Sequence, residues 1–335
     1  MVTDDVKNIN HMYKFKKVNL FIFFVIASAF FVAVLQPFGL SLDYANYQYF
    51  FQQIRLNFSG ELKDNRFEPG FKYVAGIVVK LLTSDILVYG FFAVVSIAIK
   101  LIYLRRFTYA RNFFYIACIF YMFKFFPLLE LTQLRGSIAI AILLVAYYYI
   151  QNGKKIYGAG IGILAILFHY STLMLLPFLF LPKLSRKMSI IIAVFIFSAL
   201  YLTSQYGIGF ASKNLLAFQG YESNGYGENV LKKFSPVYFP EFFILAFSIF
   251  HWRYLTDGMR RIVSIELIGF SIFYALIDYQ VVAARGREFF SVMWILFVVQ
   301  STGCVDKVKI AIYIFVASSM SLAIYQYLFS DFFSS

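Results

Sequence analysis

Five short stretches of the chain carry residue types able to do chemistry. In Asp43-Tyr44-Ala45-Asn46-Tyr47, residues Asp43, Asn46 and Tyr47 share one face if the stretch is helical. A carboxylate there can act as a general base or hold a hydroxyl group. The plainer alternative is an Asp43 helix cap. Next comes Arg66-Phe67-Glu68-Pro69-Gly70-Phe71, where Glu68 can orient Arg66 or form a simple surface pair with it. Glu130-Leu131-Thr132-Gln133-Leu134-Arg135-Gly136 follows. The Arg135 fork suits a phosphate or carboxylate ligand, unless Arg135 is spent on Glu130. His169 is one of three histidines, with His11 and His251, and stands just before Tyr170-Ser171. It can serve as a base or phosphate ligand, or as a buried, hydrogen-bonded structural residue. A triad of Ser171, His169 and Asp43 can be drawn on paper, but no nucleophile-elbow motif supports it. Last is Arg285-Gly286-Arg287-Glu288. Two arginines this close suit a diphosphate with its many acceptor oxygens; pairs of Arg287 with Glu288 or Arg285 with Asp278 are the alternatives.

These stretches stand at the edges of long apolar runs, so the elements that position them are membrane helices. The chain has 335 residues, 61% of them hydrophobic and only 14% charged. Too few charges exist to cover a soluble surface, and the apolar content excludes disorder. The aromatic fraction of 21% suits lipid contact. The net charge of +13 does not indicate nucleic acid, because the bases fall in short clusters between apolar runs. Cys118 and Cys304 lie far apart in apolar surroundings and read as packing residues, with no metal-ligand spacing.

Apolar runs cover 18–38, 86–104, 112–129, 134–150, 156–168, 172–181, 188–206, 238–250, 262–282, 289–303 and 310–329. The first reads as an uncleaved anchor, about 31 Å long as a helix. With a cytoplasmic tail at 1–17, alternation puts every basic break inside, as the positive-inside rule requires. Two readings make this work. Residues 70–80 form an amphipathic helix in the outer interface, not a span. Residues 156–181 form two short helices turning at His169-Tyr170-Ser171, with Ser171 as the second cap. The expectation is an all-α polytopic membrane protein. It has about 11 transmembrane segments in a single domain over 1–335, with outer loops at 39–85 and 207–240. Lys100 then marks the inner end of a span and Glu266 counts among the inner acids. The second outer loop contains Gln219-Gly220-Tyr221-Glu222-Ser223-Asn224-Gly225-Tyr226-Gly227, suited to sugars or simply flexible. No P-loop or GxGxxG is present, no internal repeat stands out, and the span midplanes read as nearly uniformly apolar, which argues against a transporter or flippase.

The order of the motifs resembles the EpsG family of Wzy-type polysaccharide polymerases. The likeness rests on Asp43-Tyr44-Ala45-Asn46-Tyr47 and Glu68-Pro69-Gly70-Phe71. It continues through Gln133-Leu134-Arg135-Gly136-Ser137-Ile138-Ala139, Lys154-Lys155, and Ala165-Ile166-Leu167-Phe168-His169-Tyr170-Ser171 with Pro177. It covers most of 43–182 and is weaker beyond. The resemblance implies a bacterial inner-membrane glycosyltransferase with a fold like that of lipid-sugar-dependent membrane glycosyltransferases. It would join oligosaccharide units carried on undecaprenyl diphosphate at the periplasmic face, making O-antigen, capsule or exopolysaccharide. The lipid-linked unit is both donor and acceptor, and a chain-length regulator and a flippase are the implied partners. Residues fitting that chemistry are Asp43, then His169, as base, with Glu68 beside them. Arg66, Arg135, Arg285 and Arg287 would hold the diphosphate, and Gln133, Tyr44 and Tyr47 would make further substrate contacts. No metal or other cofactor is required, since arginines can neutralise a diphosphate. An O-antigen ligase, a single-sugar transferase and an O-acyltransferase are the rival enzymes on a similar scaffold.

Overall fold

The computed structural model describes residues 2–35, 42–58, 67–108, 110–206 and 235–329, with side chains except those of 2–17, Leu42 and Val281. Every regular element among them is helical. The first four are α1 (Val2–Leu35), α2 (Leu42–Leu56), α3 (Pro69–Leu81) and α4 (Asp85–Arg106). Next come α5 (Arg111–Lys124), α6 (Leu134–Gln151), α7 (Lys155–Phe168) and α8 (Arg186–Tyr206). The last are α9 (Phe239–Phe250), α10 (Asp257–Ala275), α11 (Gln280–Ser291), α12 (Met293–Val299) and α13 (Asp306–Phe329). Local chemistry sets several boundaries. Pro69 starts α3 at a position where its missing N–H costs nothing. Thr256 caps α10 by accepting a hydrogen bond from the Met259 N–H. Gly153, at φ +78°, makes the turn that folds α7 back on α6.

Among the described residues, five helical stretches are long and apolar enough to cross a membrane: Val18–Leu35, Asp85–Arg106, Leu134–Gln151, Arg186–Gln205 and Asp306–Phe329. Of the others of the expected eleven, α10 has 19 residues but is not among these five, and most of the rest are short. Helices α5 and α7 have 14 residues each and α9 has 12, which is about 18–21 Å. Stretches of that length need protein neighbours to satisfy their ends. The apolar windows of α1 and α8 are only 22% and 17% buried, so these helices turn most of their surface to lipid.

Residues 170–181 depart from the expected second helix. They form two 3-10 turns, Tyr170–Met174 and Leu176–Phe180, broken near Pro177. His169 is the extended residue between them and α7, so Ser171 lies inside the first turn and caps nothing.

Helices α2 and α3 lie in the stretch expected as the first outer loop. They close over α4 through an aromatic cluster of Tyr44, Tyr47, Phe50, Phe67, Phe71, Tyr89 and Phe92. Such ring pairs add stability beyond the area they bury. Helix α3 buries Phe71, Ala75, Val78 and Val79 and exposes Tyr73, Ile77 and Leu81 along its opposite side.

The interior is not uniformly apolar. Lys100 and Glu130 are completely buried and lie 2.7 Å apart. Tyr121 donates to the same Glu130 oxygen, and Ser96 and Ser137 complete the network. A second buried network joins Lys124, Glu241, Arg287 and Glu266. Lys100 therefore does not mark a wetted inner end, and Glu266 is not an exposed inner acid. Both are desolvated charges that persist because they are paired.

Contacts sort the helix ends into two groups. Arg105, at the end of α4, bonds Asn19 near the start of the apolar part of α1. Lys183 pairs with Asp257, and Thr108 meets Thr302. The opposite helix ends carry the motif residues.

Candidate functional site

Glu68 is the centre of the site. It precedes α3 with extended geometry (φ −63°, ψ 146°) and its carboxylate is almost fully buried. Arg135, in the first turn of α6, donates to Glu68 Oε2 at 2.5 Å. His169 Nδ1 lies 2.9 Å from Glu68 Oε1, and the Tyr170 N–H also points at that oxygen. Arg135 stacks over the Phe67 ring at 4.4 Å and its Nε donates to the Tyr47 hydroxyl at 3.4 Å. One carboxylate therefore fixes an arginine and a histidine, one on each of its oxygens.

Burial opposes charge on Glu68, but the His169 hydrogen bond and the Arg135 guanidinium outweigh it and hold the carboxyl down at about 2. An ionised carboxylate only accepts, so His169 Nδ1 carries the proton. Its Nε2 is then the basic atom. Burial lowers the His169 pKa below the ordinary imidazole value, against the opposing pull of Glu68. The ring is neutral at pH 7.

A second group adjoins the first. Arg285 Nη2 lies 3.6 Å from Asp43 Oδ2, and Arg285 Nη1 donates to Glu288 Oε2 at 3.2 Å. Gln133 Nε2 donates to the same Glu288 oxygen at 3.0 Å. Gln133 and Arg135, at the start of α6, join the two groups. The Phe289 ring lies 5.4 Å from the His169 ring. The partly exposed guanidinium groups of Arg135 and Arg285 face three carboxylates, those of Asp43, Glu68 and Glu288. The cluster supplies phosphate forks already held by acids, together with an oriented imidazole.

The structure thus brings together Asp43, Glu68, Gln133, Arg135, His169 and Arg285. Tyr44 and Tyr47 are buried, Tyr44 against Tyr89 and Tyr47 under Arg135, so they support the site from below. Arg287 is elsewhere. Its side chain is 1% exposed, its Nη1 donates to Glu266 at 2.7 Å, and its Nη2 donates to Glu241. It also stacks 3.8 Å over Phe270. A diphosphate contact from Arg287 is replaced by a core ion pair, because both of its hydrogen-bonding ends are already used. Three of the simple pairings do not form: Glu130 belongs to Lys100, Glu288 to Arg285, and Asp278 accepts from Gln205, whereas His169 is largely buried and hydrogen-bonded, as its structural alternative expects. Arg66 and residues 219–227 lie outside the described residues.

Sequence reasoning passed over Glu288 as a site member, although it stands i, i+3 from Arg285. It also missed Lys124, Glu241 and Glu266, whose signal was a charge inside or beside an apolar run. Among the described residues, no group of three or more His, Cys, Asp and Glu is placed to hold a metal ion.

Gly70 allows the central contact. A Cβ there would stand 2.8 Å from the Leu167 carbonyl oxygen, which is backbone at the end of α7. Gly70→Ala should push α3 off α7 and part Glu68 from His169. The expected cost is about 1–3 kcal/mol, read from thermal unfolding of the detergent-purified protein. An unchanged melting curve would show that the two helices can separate freely.

No curated protein and no solved structure matches the chain. A family model does match, over residues 19–334, which spans every part of the site. The chain belongs to the EpsG family.

Proposed function

We propose that this chain is a polysaccharide polymerase. It joins oligosaccharide units carried on undecaprenyl diphosphate at the periplasmic face of the bacterial inner membrane, for O-antigen, capsule or exopolysaccharide. The observation that carries this reading is the Arg135–Glu68–His169 contact, joined through Gln133 to Glu288 and Arg285. Family membership supports it.

In the reaction, the bond between the donor sugar's anomeric carbon and the diphosphate oxygen breaks. A bond from the acceptor hydroxyl oxygen to that carbon forms. Negative charge grows on the departing diphosphate, and Arg135 and Arg285 stabilise it by exchanging their carboxylate partners for phosphate oxygens. His169 Nε2 takes the acceptor proton and later releases it to water. Glu68 holds the ring with Nε2 outward and stabilises the imidazolium that forms. His169 is preferred over Asp43 as base because Asp43 is the partner of Arg285.

In this reading the chain makes eleven passes, with α1 starting in the cytoplasm and the 3-10 segment returning the chain after α7. Helix α3 lies in the outer interface, its Tyr73–Ile77–Leu81 side toward lipid. A flippase supplies the lipid-linked unit and a chain-length regulator acts on the product. The buried charges remove the argument that apolar midplanes oppose a transporter. Their pairing inside the protein favours a structural role instead.

Glycan analysis tests the proposal. A strain lacking this chain should make single repeat units only, where loss of a ligase would leave long unattached polymers. Arg135→Ala and Arg285→Ala should each cut elongation by about 10²–10³-fold while the protein stays in the membrane. Wild-type chain lengths in both variants would remove the diphosphate role.

A further inference from the structure

Arg261 stands apart from the other sheltered arginines. Of the described arginines that lie wholly or partly beneath the surface, Arg105, Arg135, Arg260, Arg285 and Arg287 each donate to an oxygen of this chain. Arg261 is half-buried too, yet among the described residues it has no hydrogen bond and no ion pair. Asp257, one turn earlier on α10, is taken by Lys183 and Arg260. The Arg261 Nε is enclosed without an acceptor, whereas its two terminal nitrogens are not enclosed.

Two further donors stand beside it. Tyr147 is fully buried, its ring is 5.7 Å from that of Phe107, and its hydroxyl has no hydrogen-bond partner. The Arg261 charge acts on that hydroxyl. Gln151 follows four residues later on the same side of α6, and its Nε2 is also buried without a partner. A guanidinium, a phenol hydroxyl and an amide NH₂ all offer hydrogens, and the protein gives none of the three an acceptor. Unsatisfied buried donors are costly, and an acceptor-rich anion relieves that cost. Phosphate oxygens also match the guanidinium fork.

The place of the group fits a lipid head. It lies at the opposite end of α6 from Arg135. Tyr147 is four residues from the end of α6 and Arg261 four from the start of α10, about 6 Å inside each helix end. An arginine side chain reaches the head-group layer from that depth. The same end carries exposed Arg106, which stacks over Tyr103 and Tyr148, and exposed Lys154 and Lys155 in the turn after α6. Such basic surroundings draw anionic lipid. We infer that Arg261, Gln151 and Tyr147 form a phosphate-binding site on the face opposite the proposed active site, suited to the phosphodiester of an anionic phospholipid. The phosphate meets the terminal nitrogens of Arg261 first. Gln151 turns its amide towards it from the end of α6, and the Tyr147 hydroxyl forms the floor. The site does not depend on the polymerase reading.

Lipid titration tests it. The detergent-purified full-length protein receives phosphatidylglycerol in mixed micelles, phosphatidylcholine as the zwitterionic control, or inorganic phosphate. Binding is read from the rise in melting temperature. Phosphatidylglycerol should stabilise the wild type more than phosphatidylcholine does. Arg261→Gln should weaken that binding by about tenfold or more, and Tyr147→Phe by about threefold. Lys155→Gln removes the same charge from the same face and should change it by less than about twofold. Lipid-free melting of Arg261→Gln should match the wild type, because the side chain has no partner in the chain to lose. Stabilisation by inorganic phosphate alone, lost in Arg261→Gln, would support the site and make free phosphate its ligand. Absence of Arg261-dependent binding of either probe would overturn the proposal. Equal weakening in Lys155→Gln would overturn it as diffuse attraction, and lipid-free unfolding of Arg261→Gln would overturn it by making the residue a structural support.

Discussion

His169→Ala is expected to lower elongation by about 10²–10⁴-fold, the range for loss of a positioned general base. The protein should remain folded, because His169 sits at a helix end and is partly exposed. The pH profile gives a sharper result. Elongation requires the neutral ring, and the folded pKa lies below the ordinary imidazole value. The rate should therefore hold steady from pH 8 through neutrality and fall only as pH drops through that lowered pKa. Glu68→Gln removes the interactions that raise the His169 pKa, so the acid limb should move to lower pH while the maximal rate falls. An acid limb unmoved by Glu68→Gln, with activity retained in His169→Ala, would return the role of base to Asp43. The stability linkage from Glu68 itself lies far from this window. Its carboxyl is held at about 2, so its contribution is present at neutral pH and is lost only as pH falls towards that value.

Arg287→Ala should have the largest effect on folding. The side chain lies between Glu241 and Glu266, all three nearly inaccessible. Removing it leaves buried carboxylates without their cation, a change worth about 3–5 kcal/mol. Against a total stability of about 5–15 kcal/mol, the folded protein in the membrane should fall sharply. Charge balance provides the control. Arg287→Met combined with Glu266→Met leaves Lys124 paired with Glu241 at 2.5 Å and should recover much of the loss. Measurement is by membrane protein level and melting in detergent. A normal level and melting curve for Arg287→Ala, with elongation abolished, would place Arg287 in the chemistry and overturn the structural assignment.

Much of the site was legible because membrane topology is written in charge. Asp43, Glu68, Arg135, His169 and Arg285 all fall at expected outer ends, and the structure pairs Glu68 with Arg135 and His169, and Arg285 with Asp43. What was illegible is mostly a matter of direction. Arg285 and Arg287 are two residues apart on α11 and so point to roughly opposite sides, at about 100° per residue. Nothing in the motif says which side faces the site. Glu288 shares a side with Arg285, and that pair was the readable half. Lys100 looked like an end marker because lysines near span ends usually extend to water. Its partner Glu130 comes after α5 in the chain, and only the packing of α4, α5 and α6 brings the two together. The 3-10 turns after His169 were hidden for a related reason: an apolar run shows burial but not its helical form.

The buried pairs also impose an order on synthesis. Lys100 precedes Glu130 by 30 residues, and Lys124 precedes Glu241 by 117. Arg287 arrives 46 residues after Glu241. At about 5–20 residues per second, Lys124 exists for about 6–23 s before its acid is made. A 14-residue helix ending in an unpaired lysine is a poor candidate for release into lipid. Helix α5 therefore gains the acid partner for its buried lysine only once α9 has been made. The buried charge network is then complete only after α11, near the end of the chain, has been made.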